Sequence, residues 1–381
     1  AGGASGARRR PAAARMQALG AAWADRGLAV EVLCRARGVA SPLVKCLVFR
    51  CLDDFPRAAV AGSLDGRACV FRCSGRRGRL LDGEPAWLRH PAGCAVHSVL
   101  VTILASGARI VATGCADGAM RLFSLEGELL GSFQAYKHVP VFSVQLQEDA
   151  AAAGSFWAAT STGSRDLVHA ETEPDRAFAH VWRIADTSVS SVERVACCAH
   201  RFGVNGVSLD AKRRLVATAS DDRTAGLFDF GGKRLASCGP HGSFVWEVAL
   251  AADMGLLATA SEDRGARLFD LEGSCIWSFT CGDVCCDVAF DREALALVVA
   301  AADGTLRVWS LQESRRWLGS GEHGTEVHAA ASLLCYGRAL STTATGELAE
   351  WEADGSREPW HFSTARRLQL FGGASATVAV G

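Results

Sequence analysis

Apolar and polar positions recur along this chain in one repeating pattern. Five stretches line up as written: AAVAGSLDGRACVF, RIVATGCADGAMRLF, RLVATASDDRTAGLF, GLLATASEDRGARLF and LALVVAAADGTLRVW. Each holds a short apolar run, a small-residue stretch, an aspartate, and a second run ending on an aromatic. The aspartates are Asp65, Asp117, Asp222, Asp263 and Asp303, and the aromatics are Phe71, Phe123, Phe228, Phe269 and Trp309. Every aspartate stands six residues before its aromatic. Runs such as RLVATAS and LALVVAAA predict strands buried on both faces. Asp and Gly supply the turns between them. The 40 glycines against 9 prolines suit a chain with many tight turns.

Two further copies are degraded. AHVW ends at Trp182 after an insertion from Ser164 to Asp175, and RALSTTATGELAEW ends at Trp351 with Thr345 in place of the aspartate. From Trp182 to Trp351 the anchors step every 40–46 residues, and the first two steps, 52 and 59, imply inserted loops. A period of about 40–45 with an Asp-to-aromatic ending predicts one four-stranded antiparallel sheet per repeat. One such sheet alone exposes two apolar faces, so the sheets must stack around an axis.

The strand endings LFSL (122–125), LFDF (227–230), LFDL (268–271) and VWSL (308–311) carry a family likeness. So do CAHRFGVNGV, CGPHGSFVWEV and GEHGTEV, which place His200, His241 and His323 before an opening strand. On these residues the chain resembles the WD-repeat (WD40) β-propeller family over residues 40 to 360. The resemblance implies an all-β, seven-bladed WD-repeat β-propeller, one blade per anchor. It also implies a hydrogen-bonded set within a blade, here His200, Ser220 and Asp222, and in the next blade His241, Ser261 and Asp263. Phe stands where the family prefers Trp and has no indole N–H, so these networks should be shorter.

The expected division is 1–26, a flexible Ala/Arg-rich segment with a short helix; 27–360, the propeller; and 361–381, the start of a further repeat or closing strands. GLAVEVLCRARG (27–38) reads as a strand that closes the ring. RRLQLFGGASATVAVG (366–381) reads as the opening of another repeat, which leaves an eighth blade or a truncated second propeller open. MQALGAAWADRG (16–27) has helical composition and is expected to cap the rim.

A net charge of -1 argues against a protein built to coat nucleic acid or an anionic membrane. No run reaches the roughly 18 apolar residues of a membrane span. The opening AGGASGARRRPAAAR has no apolar core of a secretory signal and reads as a flexible tail. The 15 cysteines include no C-x-x-C pair and read as small buried hydrophobes in a reducing compartment, so an intracellular place, cytoplasmic or nuclear, is expected. Cys281, Cys285 and Cys286 form the one tight cluster, and no histidine beside them offers zinc-ligand spacing. No phosphate loop, H-E-x-x-H or G-x-S-x-G occurs. No catalytic residue, metal, cofactor or small-molecule substrate is expected.

The likeness implies partner binding on the face near the central channel. The residue after the first position of each opening strand marks that face: Lys45, His97, Phe142, Asn205, Trp246 and His328, with Cys286 in a less regular copy. Phe142 and Trp246 are candidate anchors, and packing between blades is the competing reading. Arg67, Arg223 and Arg264 would surround them with charged donors. The acidic insert AETEPDRA (170–177) and the basic run SGRRGRLLDGE (74–84) are surface candidates of lesser weight. The expected function is a non-catalytic scaffold for other proteins in a multi-subunit complex. The alternative is an RNA-associated subunit beside an RNA-modifying or RNA-processing enzyme, which neutral charge disfavours. A cullin-type substrate receptor loses ground because FDFG, FDLE and WSLQ lack Trp-Asp-x-Arg.

Overall fold

The computed structural model describes residues 44–50, 57–63, 66–73, 86–137, 139–163, 178–291, 295–311, 317–322, 327–333, 338–343, 347–354 and 360–369. The expected helix 16–27, closing strand 27–38, basic run 74–84, insert 170–177, Asp65 and His323 lie outside the described residues.

Among the described residues the strands form seven four-stranded antiparallel units in sequence order. Unit four shows the plan: Val204–Asp210, Leu215–Ser220, Ala225–Asp229 and Arg234–Cys238, each paired with the next. The other innermost strands are Val44–Arg50, Val96–Ile103, Ser143–Glu148, Val245–Ala251, Cys285–Asp291 and Val327–Leu333. Consecutive innermost strands pack together, and the last packs on the first, so the described units close a ring. Trp360–Gln369 crosses the boundary expected at 360 and is the outer strand of unit seven, paired with Glu347–Asp354. It also makes a short parallel pairing, Gly319 to Trp360 and Ser320 to His361, with the outer strand of unit six.

Burial peaks at the second strand of each unit and is lowest at the outer strand. The second strands are buried on both faces, as in Phe156–Ser161 and Ala296–Ala301, where all six residues are buried. Outer strands such as Cys275–Thr280 are mostly exposed. The apolar clusters are seams between neighbours, not interiors of single sheets. One joins Leu227 and Ala217 of unit four to Val248, Leu257 and Phe269 of unit five. The next joins Leu268 and Phe279 to Val288, Val299 and Trp309. A unit taken alone would expose its half of two seams, which is why the repeats must stack.

Near the axis the blades converge and space runs out. A Cβ at Gly114 would lie 2.7 Å from Val141 of the next unit, and one at Gly62 would lie 2.8 Å from Val96. The alanines of LVATAS and LLATAS serve the same narrow end of the wedge. Leu268 is 1% exposed at the centre of its seam. Leu268→Ala should lower the unfolding free energy by about 2–5 kcal/mol in denaturant titration. Val195→Ala, on an exposed outer strand, should change it by less than about 0.5 kcal/mol.

Candidate functional site

Register places the opening of each innermost strand and the Asp turn at the same end of the unit. Val204 pairs with Ser220 and Val245 with Ser261, immediately before the turns at Asp222 and Asp263. In units one, two, four, five, six and seven the innermost strand bulges at its second residue. The bulged residues are Lys45, His97, Asn205, Trp246, Cys286 and His328, six of the seven positions singled out from sequence. A bulge leaves its residue out of the ladder and re-aims its side chain. Phe142 holds the corresponding place in unit three, where its N–H donates to Ser161 O at 2.7 Å.

These positions do not behave alike. His97 and Phe142 stack at 5.1 Å across the seam between units two and three, both partly exposed. Phe142 also lies over Gly163, where a Cβ would be 2.7 Å from its ring. Trp246 is partly exposed. Asn205 is 4% exposed, and its amide donates to Asp221 Oδ1 at 2.7 Å and to Val245 O at 3.0 Å. Asn205 therefore joins units four and five and is withdrawn from the contact set, because its donors are spent inside the ring. Nothing is described of the Lys45 and His328 side chains.

The arginines also divide. Arg223 and Arg264 are exposed and hold left-handed backbone, with φ of 69° and 67°. The matching turns carry Gly66, Gly118 and Gly304, at 89°, 79° and 81°. Arg67 falls one residue later in its turn and is partly buried, so it is not equivalent to the other two.

The turn aspartates are structural hubs. In unit four, His200 Nδ1 lies 2.8 Å from Asp222 Oδ2, and Nε2 lies 2.6 Å from Thr218 Oγ1. In unit five, His241 Nε2 lies 3.0 Å from Thr259 Oγ1, and Asp263 Oδ2 accepts from Gly242 N at 2.7 Å. The expected serines do not meet the histidines. Ser220 Oγ donates to Phe202 O and Ser261 Oγ donates to Phe244 O, tying the turn to the incoming loop. Thr218 and Thr259 stand two residues earlier on the same strand face, level with the imidazole. Phe228 and Phe269 meet their histidines as rings, at 5.7 and 6.2 Å. In unit three Trp182 Nε1 donates to Thr160 Oγ1 at 2.8 Å, and that hydroxyl donates to Tyr136 at 2.9 Å. Tyr136 thus stands in for a histidine.

Three turns share a feature overlooked in the sequence: an arginine four residues after the aspartate. Arg267 and Arg307 donate to Asp263 and Asp303 at 2.9 and 2.6 Å, and Arg121 holds Asp117 with two nitrogens. Cys94 Sγ, Cys115 Sγ and the Asp117 carboxylate lie within 4.8 Å of one another, a donor set of the kind that holds a metal. Arg121 already places a cation there, and burial pushes the Cys115 thiol up to about 12.

A family model for the WD domain, G-beta repeat, matches residues 188–229, 232–270 and 273–310. These segments run from the outer strand of unit three to the third strand of unit six and carry the turn aspartates Asp222, Asp263 and Asp303. Residues 188–310 carry WD repeats, and the chain as a whole has a β-propeller fold. Among solved structures, the WD40 β-propeller domain of Doa1 is similar with a TM-score of 0.62 at 17% identity, covering 82% of this chain and 93% of that one. The computationally designed Ika8 protein is similar with a TM-score of 0.58 at 16% identity, covering 86% of this chain and 99% of that one. At these identities the likeness concerns the fold. No curated protein matches the sequence. WD-repeat propellers are generally protein-interaction scaffolds and typically non-catalytic. No helix among the described residues is long and apolar enough to cross a membrane.

Two groups of unit five contribute to the pH response. Burial presses the His241 imidazole down from 6.5 to about 4, Arg267 adding to the effect and Asp263 opposing it. The unfolded chain therefore protonates first as pH falls, and stability declines from about pH 6.5 toward about pH 4. His241→Gln should flatten the Tm-against-pH curve over that range. Glu247, in the innermost strand of unit five, lies against Gly206 on one side and feels Asp287 on the other. Burial, with Asp287 adding to it, raises its carboxyl from 4.5 to about 8. The folded state holds this proton where the unfolded chain has lost it, so stability falls as pH climbs from about 4.5 to about 8. Glu247→Gln keeps the neutral shape. Its Tm should match the parent at pH 4.5 and exceed it at pH 8; equal Tm values at pH 8 would contradict a raised Glu247 carboxyl.

Proposed function

We propose that this propeller is a non-catalytic scaffold that holds another protein within a multi-subunit complex, and that the turn-and-bulge end of the ring is the contact face. The observation that carries this is the backbone at Arg223 and Arg264. A non-glycine residue in left-handed backbone costs about 1 kcal/mol relative to glycine. Three sister turns use glycine and avoid that cost. Here the strained turns instead hold two long guanidiniums out in solvent, where neither stabilises the ring by burial. Strain kept in this way points to use.

The apolar part of the face is Trp246 together with the stacked His97 and Phe142. Exposed arginines and a partly exposed tryptophan are the residue types that dominate protein contacts. Ten cysteines, Cys94, Cys115 and Cys238 among them, are free thiols, which supports a reducing, intracellular setting. The same guanidiniums would serve phosphate in an RNA-associated role, and the net charge of -1 favours a protein partner.

Arg223→Gly and Arg264→Gly together should raise the unfolding free energy by about 0.5–1 kcal/mol per turn. With Trp246→Ala they should also abolish recovery of co-purifying proteins from source cells at fixed bait, after nuclease treatment. A variant ring that is at least as stable and recovers the same proteins in the same amounts would refute the assigned face. Nuclease-sensitive, salt-dependent recovery in the parent would favour RNA.

A further inference from the structure

Unit six breaks the pattern of the hydrogen-bonded set. Gly242 donates its N–H to the turn aspartate of unit five, and Gly282 donates its N–H to Asp303 Oδ2 at 2.9 Å in the same way. The residue before Gly242 is His241, so the residue before Gly282, Cys281, occupies the histidine position. The matching hydroxyl is also gone: Val248 pairs with Thr259, whereas Val288 pairs with Val299. A thiol has replaced an imidazole beside an aspartate and an arginine.

Cys281 has two polar neighbours. Arg307, itself held on Asp303 at 2.6 Å, lies close enough to act on it electrostatically, and Cys285 packs in the same cluster of buried side chains. Both backbones are pinned. Cys281 N–H donates to Arg264 O at 2.8 Å, and Cys285 is locked in register opposite Ala301. Only Gly282, Asp283 and Val284 separate the two cysteines, and Gly282 and Asp283 are exposed. Cys281 is 5% exposed and Cys285 fully buried.

We infer that Cys281 and Cys285 form an oxidisable dithiol, in which Cys281 is attacked first by a hydroperoxide and Cys285 resolves it to an intramolecular disulfide. The thiolate of Cys281 attacks one peroxide oxygen and the O–O bond breaks. Hydroxide leaves, and the sulfur becomes a sulfenic acid, oxidised by two electrons. The Cys285 sulfur then attacks the Cys281 sulfur, the S–OH bond breaks, and water leaves with the Cys285 proton. The environment suits these roles. The neighbouring Cys285 thiol favours the Cys281 thiolate; burial opposes it and Arg307 supports it, and the thiol ends below its ordinary value. Cys285 is pushed up by its Cys281 neighbour and by burial, so it keeps its proton until a sulfenic acid forms beside it. A thiolate-stabilised cysteine next to a resolving cysteine is the pairing that oxidises to a disulfide once peroxide reaches it, and at 5% exposure Cys281 is reached through the exposed Gly282 and Asp283.

The test is mass spectrometry of the folded chain after graded hydrogen peroxide at pH 7. The expected result is loss of two hydrogens, mapped to Cys281 and Cys285, before Cys94 or Cys115 is modified, and reversed by dithiothreitol. Cys286→Ser should leave this unchanged. Cys285→Ser should stop the reaction at a Cys281 sulfenic acid that dimedone captures. Arg307→Gln should slow the first step about tenfold, whereas Arg267→Gln, which breaks the same Asp–Arg pair in unit five, should not. Oxidation of Cys281 no faster than that of Cys115 overturns the proposal. So does a Cys281 sulfenic acid that persists while Cys285 is present.

Discussion

Everything in this molecule depends on apolar contact between neighbouring sheets across wedge-shaped seams. Each sheet supplies half of two seams and completes neither. The wedge explains the residue gradient within a blade: glycine and alanine near the axis, leucine and valine in the middle, a large ring at the anchor. Gly62 and Gly114 mark where neighbouring innermost strands leave no room for a methyl group. Leu268 and Phe269 mark where space opens and large side chains seal the gap. Stability is shared around the circle, which closes where the first innermost strand packs on the last.

Hydrogen bonding plays a second, more local part. The turn aspartates accept backbone N–H groups from their own turn and from the incoming loop, so they hold the blade edge in shape. The side chains that complete each set vary. Histidine with threonine serves units four and five; tyrosine, threonine and tryptophan serve unit three; cysteine and arginine serve unit six. Packing supplies most of the stabilisation, so these sets can vary without loss of the fold. Variation of this kind is where one blade acquires chemistry that its neighbours lack.

The repeat was legible because two constraints leave traces in a single chain. The two-residue strand period shows in ATAS and VVAA, and the turn aspartate keeps a constant distance from its anchor. The bulged positions were legible too, since each follows the first residue of an opening strand. The serine-for-threonine error arose because both residues share a strand face and only depth along the strand separates them. Asn205 could not be told from Trp246 by position; burial alone distinguishes a tie between blades from a partly exposed ring. Arg223 and Arg264 were found, but Arg67 was grouped with them because sequence does not show which turn residue is left-handed. The Asp-to-Arg spacing of four in DGAMR, DRGAR and DGTLR was present in the sequence and overlooked. Cys281 as a replacement for histidine emerges only when the amide of Gly282 is matched to that of Gly242.

The parallel rungs between the outer strands of units six and seven have a consequence for assembly. They merge two blades into one eight-stranded sheet, so both peripheral borders there are satisfied. The outer strands of units one to five have no such cover among the described strands, and Trp87, Leu129, Val195, Leu235 and Trp277 lie along them, more than a third exposed. Open main-chain borders can recruit an extended segment by strand addition. The circumference is therefore asymmetric: one arc is closed to such recruitment and the remainder is open, which gives an otherwise repetitive disc a direction.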